Sequence, residues 1–158
     1  MVLKGIQIED FLQYKKPSMF LITKSCTFKC EKDCGKSLLC QNGNLVRAKD
    51  IEVANITILK SYHSNPITKA LVIGGLEPFD QFEEVKDLIH AFRNTCEDDV
   101  VIYTGYNYDE IVDQVEYLRQ FRNIIIKFGR YIPDHKPHYD DVLGVYLASD
   151  NQYAEKIS

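Results

Sequence analysis

Ser18-Met-Phe-Leu-Ile-Thr23 leads through Lys24-Ser25 into Cys26-Thr-Phe-Lys-Cys30-Glu-Lys-Asp-Cys34-Gly-Lys-Ser-Leu-Leu-Cys40. The first six residues are nearly all apolar, the pattern of a strand buried on both faces of a parallel sheet. Three later runs repeat that signal, and each opens into a glycine-bearing exit. Lys69–Ile73 precedes Gly74-Gly75, Asp99–Tyr103 precedes Thr104-Gly105, and Asn123–Phe128 precedes Gly129. Amphipathic stretches lie between them. Phe82, Val85, Leu88, Ile89 and Phe92 form one helical stripe, with Asp80 as the expected N-cap and the helix ending near Asn94. Ile111, Val112, Val115, Leu118 and Phe121 form another over about 108–121. A more modest helix covers about 50–62, with Ile56, Leu59 and Tyr62 on one face, and stops at Asn65-Pro66. Strands alternating with helices predict parallel βαβ units and an α/β fold.

The remaining segments are less regular. Leu3, Ile6, Ile8 and Phe11 suggest a strand or hairpin arm, with Lys15-Lys-Pro17 as a break before the Ser18 strand. Residues 24–47 read as one irregular cysteine loop and 131–141 as another loop. Val142–Leu147 reads as an edge strand, followed by a polar tail, 148–158. No repeat or linker divides the chain, so residues 1–158 are expected to form a single domain.

Composition narrows the class of function. Hydrophobic residues make up 45% and charged residues 27%, which predicts a folded core rather than disorder. A net charge of −4 with no basic stripe argues against nucleic acid as a partner. Lys127, Arg130 and Lys136 are therefore read as solvated surface, with contact to a bound cosubstrate's carboxylate or to a partner chain as the alternative for Lys127 and Arg130, which follow a strand end. The N-terminal residues carry no apolar signal-peptide core, and no stretch approaches the ~20 apolar residues of a membrane span. The expectation is a cytoplasmic chain without a membrane partner. Thiols stay reduced in that compartment, so clustered cysteines point to metal rather than disulfides. Cys96, near a helix end, is read as structural, and none of His63, His90, His135 and His138 as a ligand.

Ligands beyond the carboxyl ends of parallel strands meet whatever those strands open into. Here four such loops, the cysteine loop included, gather on one rim. Thiolates suit either tetrahedral zinc or an iron–sulfur cluster. Spacings of x3, x3 and x5 in one loop crowd a single ion, whereas a cubane held by three cysteines keeps one iron open. A closed four-thiolate site on Cys26, Cys30, Cys34 and Cys40, with zinc or a capped cluster, is the alternative.

The strand running into Cys26-x3-Cys30, together with Gly74-Gly-Leu-Glu-Pro78, resembles the radical S-adenosylmethionine (SAM) superfamily. Within it the chain is most similar to the activating proteins of anaerobic (class III) ribonucleotide reductase. Tyr103-Thr-Gly-Tyr106 and Ala148-Ser-Asp-Asn-Gln152 extend that similarity over about residues 18–152. The family pattern is Cys-x3-Cys-x2-Cys with an apolar or aromatic residue before the third cysteine, and this chain departs from it. Cys34 comes one residue late and follows Asp33; Cys40 comes much later but follows Leu39 and precedes Gln41-Asn42. Cys40 is the favoured third ligand, with 31–38 as an insertion and Cys34 as a spare thiol, a lid thiol or a fourth ligand.

The resemblance implies a small, incomplete (β/α) barrel-like, mostly parallel sheet. It implies a [4Fe–4S] cluster on Cys26, Cys30 and Cys40 and a SAM site built from Gly74, Gly75, Glu77, Thr104, Gly105 and Asn151. It also implies one electron from a flavodoxin-like or other one-electron donor, reductive cleavage of SAM to a 5′-deoxyadenosyl radical, and a glycyl radical installed on the large anaerobic reductase, with another glycyl-radical enzyme as the alternative target. Glycines at 74 and 75 would admit close backbone approach to the methionyl part, and Glu77 would meet its amine.

Overall fold

The computed structural model describes residues 1–35, 37 and 40–158; Lys36, Leu38 and Leu39, and so the apolar residue before Cys40, lie outside the described residues. The described residues form nine strands, β1 (Val2–Asp10), β2 (Ser18–Thr23), β3 (Ile51–Glu52), β4 (Ala70–Gly74), β5 (Asp99–Tyr103), β6 (Ile124–Phe128), β7 (His138–Asp140), β8 (Val145–Leu147) and β9 (Tyr153–Lys156). Among the same residues there are four α-helices, α1 (Lys29–Cys34), α2 (Asn55–Ser64), α3 (Phe82–Arg93) and α4 (Val112–Leu118). Seven strands make one open mixed sheet in the order β3-β1-β2-β4-β5-β6-β9. Its centre, β2-β4-β5-β6, is parallel, and β1, β3 and β9 run antiparallel to their neighbours.

Period-two alternation explains why the central strands are apolar throughout. Leu71 and Ile73 of β4 join Leu21, Ile102 and Ile126 under Ile58 of α2, Leu88 and Phe92 of α3, and Val115 and Leu118 of α4. Ala70 and Val72, on the opposite face, pack with Val101 and Ile125 against Tyr14, Leu143 and Leu147. The parallel strands follow one another across the sheet in chain order, and their crossover helices all join the first cluster. The second face is left to short loops and to the β7–β8 ribbon, and there is room there for a cavity.

Several boundaries differ from the sequence reading. The hairpin arm is β1, paired antiparallel with β2. β3 occupies 51–52, which delays α2 to Asn55. Asp80 is not the cap of α3: Pro78–Gln81 forms a 3-10 turn and Gln81 takes the N-cap position. Val112 is exposed, because α4 begins only after a separate turn over Tyr108–Glu110. The expected edge strand shrinks to β8 and pairs with β7 rather than joining the main sheet. The real edge strand is β9, inside the segment read as a polar tail. Its side chains are mostly solvated, with Tyr153 stacked on Phe128 and Ala154 against the second cluster, so it pairs largely through its backbone and leaves little apolar alternation to read. Its anchor is Ile157, buried in the main core, with its N–H donating to Ile124 O at 3.0 Å.

Ile157→Ala should therefore cost about 3 kcal/mol, within the range for burying and then truncating an aliphatic side chain. Urea unfolding checks this, and a midpoint unchanged from the parent chain would show β9 to be dispensable.

Candidate functional site

A cavity of about 350 Å³ opens where the four parallel strands end, a volume within the ~300–1,000 Å³ of small-molecule sites. Each exit loop contributes to its wall. Cys26, Cys30 and Cys40 come from the loop after β2, and Gly75, Leu76 and Glu77 from the loop after β4. Thr104 and Gly105 follow β5; Lys127 lies within β6, with Gly129 and Arg130 beyond that strand. Gln152, from the segment leading into β9, completes the far side. Cys34 is not among the wall residues.

The cysteine loop is more ordered than its composition suggests. Phe28 sits at the N-cap of α1 with φ 52°, a left-handed conformation uncommon for a bulky residue. The turn it makes lets Cys26, before it, and Cys30, in the first turn of α1, share one wall. Phe28 N–H donates to Cys26 Sγ at 3.3 Å. Gly35, at φ 63°, closes α1. Glu31 of α1 then accepts the backbone N–H of Cys40 at 3.1 Å, which draws the later cysteine back beside the first two. The helix is fastened by charge to the loops after β5 and β6. Lys29 Nζ lies 2.9 Å from Glu110, Asp33 lies 2.9 Å from Arg130 Nε, and Arg130 grips Glu110 through two 2.6 Å hydrogen bonds. Arg130 holds the Glu110 carboxyl far below the usual range, at about 2.

The segment after β4 ties the loops together. Glu77 is buried, and its carboxylate accepts from Thr104 Oγ1 at 2.7 Å, Gly105 N at 2.9 Å and Phe79 N at 3.1 Å. Its own N–H donates to Ser25 O at 2.9 Å. Asp80 accepts from Thr27 N at 2.7 Å and from Tyr106 Oη at 2.7 Å. Gln81 accepts from Lys24 N at 2.7 Å. Glu77 and Asp80 thus join the exits of β2, β4 and β5.

The glycines serve the fold as well as the wall. A Cβ on Gly75, which has φ 83°, would stand 2.7 Å from Ile22 Cγ2, and one on Gly74 would stand 2.9 Å from Tyr103 Cβ. Gly74 lies within β4, behind the cavity. Thr104 and Gly105 are on the wall but are engaged with Glu77. Asn151 stands off the wall, its amide donating to Arg130 O at 2.8 Å, while the neighbouring Gln152 faces the cavity.

The reading of Lys127 and Arg130 as solvated surface is overturned. Lys127 is 6% exposed, inside β6, and the Arg130 side chain is 12% exposed; Lys136 alone is exposed. The signal was present: a lysine within Ile124-Ile-Ile-Lys-Phe128, a strand buried on both faces, has no solvated side to occupy. Asp80 and Glu110 were missed for another reason, since their partners lie 26 to 53 and 20 to 81 residues away.

Burial pushes the Cys26 thiol up to about 12 and raises Cys30, with Glu77 and Asp80 adding to the effect at Cys26 and Cys40 adding to it at Cys30. Without a cation these groups are neutral thiols; metal binding displaces their protons. Among the described residues no three His, Cys, Asp or Glu side chains converge on a single metal-ion site. A four-iron cluster needs a different arrangement, in which each thiolate takes its own iron and the donors surround a group rather than a point. Three cysteines spread along one wall of a cavity fit that demand.

A family model described as a 4Fe-4S single cluster domain matches residues 17–152. Searches of curated proteins and of solved structures found no match. No helix among the described residues is long and apolar enough to cross a membrane.

Burial pushes the Glu77 carboxyl from its ordinary value near 4.5 up to about 7, with its three donors opposing the rise. The folded chain therefore holds this proton more tightly than the unfolded chain. The contribution is present below about pH 4.5 and is lost as pH rises through 7. Glu110, with its lowered value, acts in the opposite sense and only at more acid pH. Glu77→Gln should flatten the stability decline between about pH 4.5 and 7. It should also cost about 1–3 kcal/mol, because its NH₂ opposes a donor. Thermal melts across that window, on parent and variant, test both; an unaltered pH slope would count against the assignment.

Proposed function

The chain belongs to the 4Fe-4S single cluster domain family, and on that premise we propose that it is a SAM-dependent radical enzyme. Its product would be a glycyl radical on an anaerobic ribonucleotide reductase. One observation carries the reading: three cysteines of one loop share a cavity with the Gly75–Glu77 and Thr104–Gly105 segments, while the fourth loop cysteine stays outside the wall. That supports Cys26, Cys30 and Cys40 as the three cluster ligands, with one iron left open for SAM, and Cys34 as a thiol of the α1 helix without a ligand role.

When bound, the cluster supplies the electron that cleaves a carbon–sulfur bond of SAM, giving methionine and a 5′-deoxyadenosyl radical. The chain does the rest by positioning. Glu77, already fixed by Thr104 and Gly105, offers its carboxylate to the SAM amine from the wall. Phe20, Leu45 and Leu76 give the same cavity apolar surface that limits water around the reacting atoms. The Phe28 N–H on Cys26 Sγ is the kind of contact that tunes a cluster's potential. The reductase partner and a flavodoxin-like donor rest on the resemblance of Tyr103–Tyr106 and Ala148–Gln152 to the activating proteins.

Four single variants, each reconstituted anaerobically with iron and sulfide, test the assignment. Cys26→Ala, Cys30→Ala and Cys40→Ala should lose most of the bound iron and all release of 5′-deoxyadenosine on reduction with SAM. Cys34→Ala should keep both. Retention by Cys40→Ala with loss by Cys34→Ala would reverse the ligand choice. A fully loaded parent chain that never cleaves SAM would reject the enzyme, and one zinc in place of iron would reject the cluster assignment as well.

A further inference from the structure

Helix α1 carries Cys30, yet it has no buried residue of its own, and at six residues it is too short to persist unaided. Among the described residues, charge ties it to the body of the protein, through Lys29 to Glu110 and Asp33 to Arg130, each at 2.9 Å. Both links end on one guanidinium, because Arg130 also holds Glu110 through two 2.6 Å hydrogen bonds. The links are unequal. The fork on Glu110 is bidentate and its arginine side chain is only 12% exposed, so solvent and salt screen it less than an open surface pair. Asp33 is 57% exposed, and its contact is ionic without an aligned hydrogen bond, which leaves Arg130 Nε unpartnered in that sense.

A second, small hollow lies against these residues. Cys26 and Cys30 face it as well as the main cavity, and Lys29, Tyr106 and Arg130 stand in its wall. The two cations sit 4.8 and 6.0 Å from the centre of the Tyr106 ring. At about 30 Å³ the hollow has room for about a water or two and for nothing the size of a chelator.

We propose that Arg130 is a positioning residue for the cluster: through Glu110 and Asp33 it holds α1, and so Cys30, on the cavity wall, and it keeps the hollow beside the two thiols shut. The inference rests on Cys30 as a cluster ligand and is independent of SAM. Asp33 belongs to residues 31–38, the stretch by which this chain departs from Cys-x3-Cys-x2-Cys. A longer segment between ligands has more conformations to lose when the cluster binds. The clasp offsets that cost by fixing the helix beforehand. Loosening it frees Cys30 and opens the hollow, and both changes speed the loss of iron.

The test follows iron loss from the cluster-loaded chain to excess bathophenanthroline disulfonate, read as decay of the cluster absorption near ~400 nm. Arg130→Gln should speed the loss about 10- to 100-fold, the range for removing charge-assisted hydrogen bonds. Arg130→Lys should recover part of the retention, since an ammonium keeps the charge without the fork. Asp33→Asn, at an exposed carboxylate, should speed the loss about two- to threefold. Raising salt from about 0.1 to 1 M should speed loss from the parent and leave Arg130→Gln nearly unchanged, because the pairs that salt screens are already gone. Loss from Arg130→Gln at the parent rate would overturn the assignment. Faster loss that keeps the parent's salt dependence would overturn it too, by showing a general weakening of the fold. Should Arg130→Gln not fold, a parent rate for Asp33→Asn would decide against the clasp. A parent chain that takes up no cluster would instead bring down the ligand reading of the cysteines, and this assignment with it.

Discussion

A buried carboxylate must be met by donors, and at Glu77 that requirement organises the rim. Three donors, one from its own turn and two from the exit of β5, converge on its oxygens, while its N–H reaches the start of the cysteine loop. Satisfying one costly group therefore draws together three loops that are remote in sequence. Asp80 repeats the device nearer the surface, with a backbone N–H from the cysteine loop and the Tyr106 hydroxyl as its donors. The cavity follows from these contacts: its walls are the loops that the two carboxylates have tied in place.

The sheet supplies the floor. Because the parallel strands succeed each other in one direction, the crossover helices stack on a single face and leave the other to short elements. Tyr14, Leu143 and Leu147 cover only part of that second face, and the uncovered part, toward the strand ends, is the cavity. Residues there stand in a wall that is part apolar and part charged. A lysine buried in β6 thus lines the cavity without leaving its strand.

The cysteine loop brings three thiols to one cavity, yet it is long and polar. Its order comes from both ends and from above. Phe28 and Gly35 define α1, Glu31 returns Cys40 to it, and the Lys29–Glu110–Arg130–Asp33 chain of charges ties it to the loops after β5 and β6, with Lys29 and Arg130 over the Tyr106 ring. Surface pairs of this kind are individually weak, but bidentate geometry and several charges in sequence make a firmer link.

Much of this was determined by the sequence alone. Apolar runs ending in glycine-bearing exits specify parallel strands, since a strand buried on both faces admits little else, and the clustered thiols specify metal chemistry. The partners of the cysteines were beyond its reach. Spacing leaves Cys34 and Cys40 as rivals, because Cys34 lies one helical turn past Cys30 while Cys40 must come back from further along the chain. Only the folded loop, through α1 and the Glu31 contact, sets Cys40 on the wall and Cys34 off it. The same holds for Asp80, which reads as a helix cap until its distant donors are in place, and for β9, whose pairing is written in backbone groups that every residue shares. Local pattern records what a residue buries; tertiary structure decides what it meets, because those contacts close loops of tens of residues.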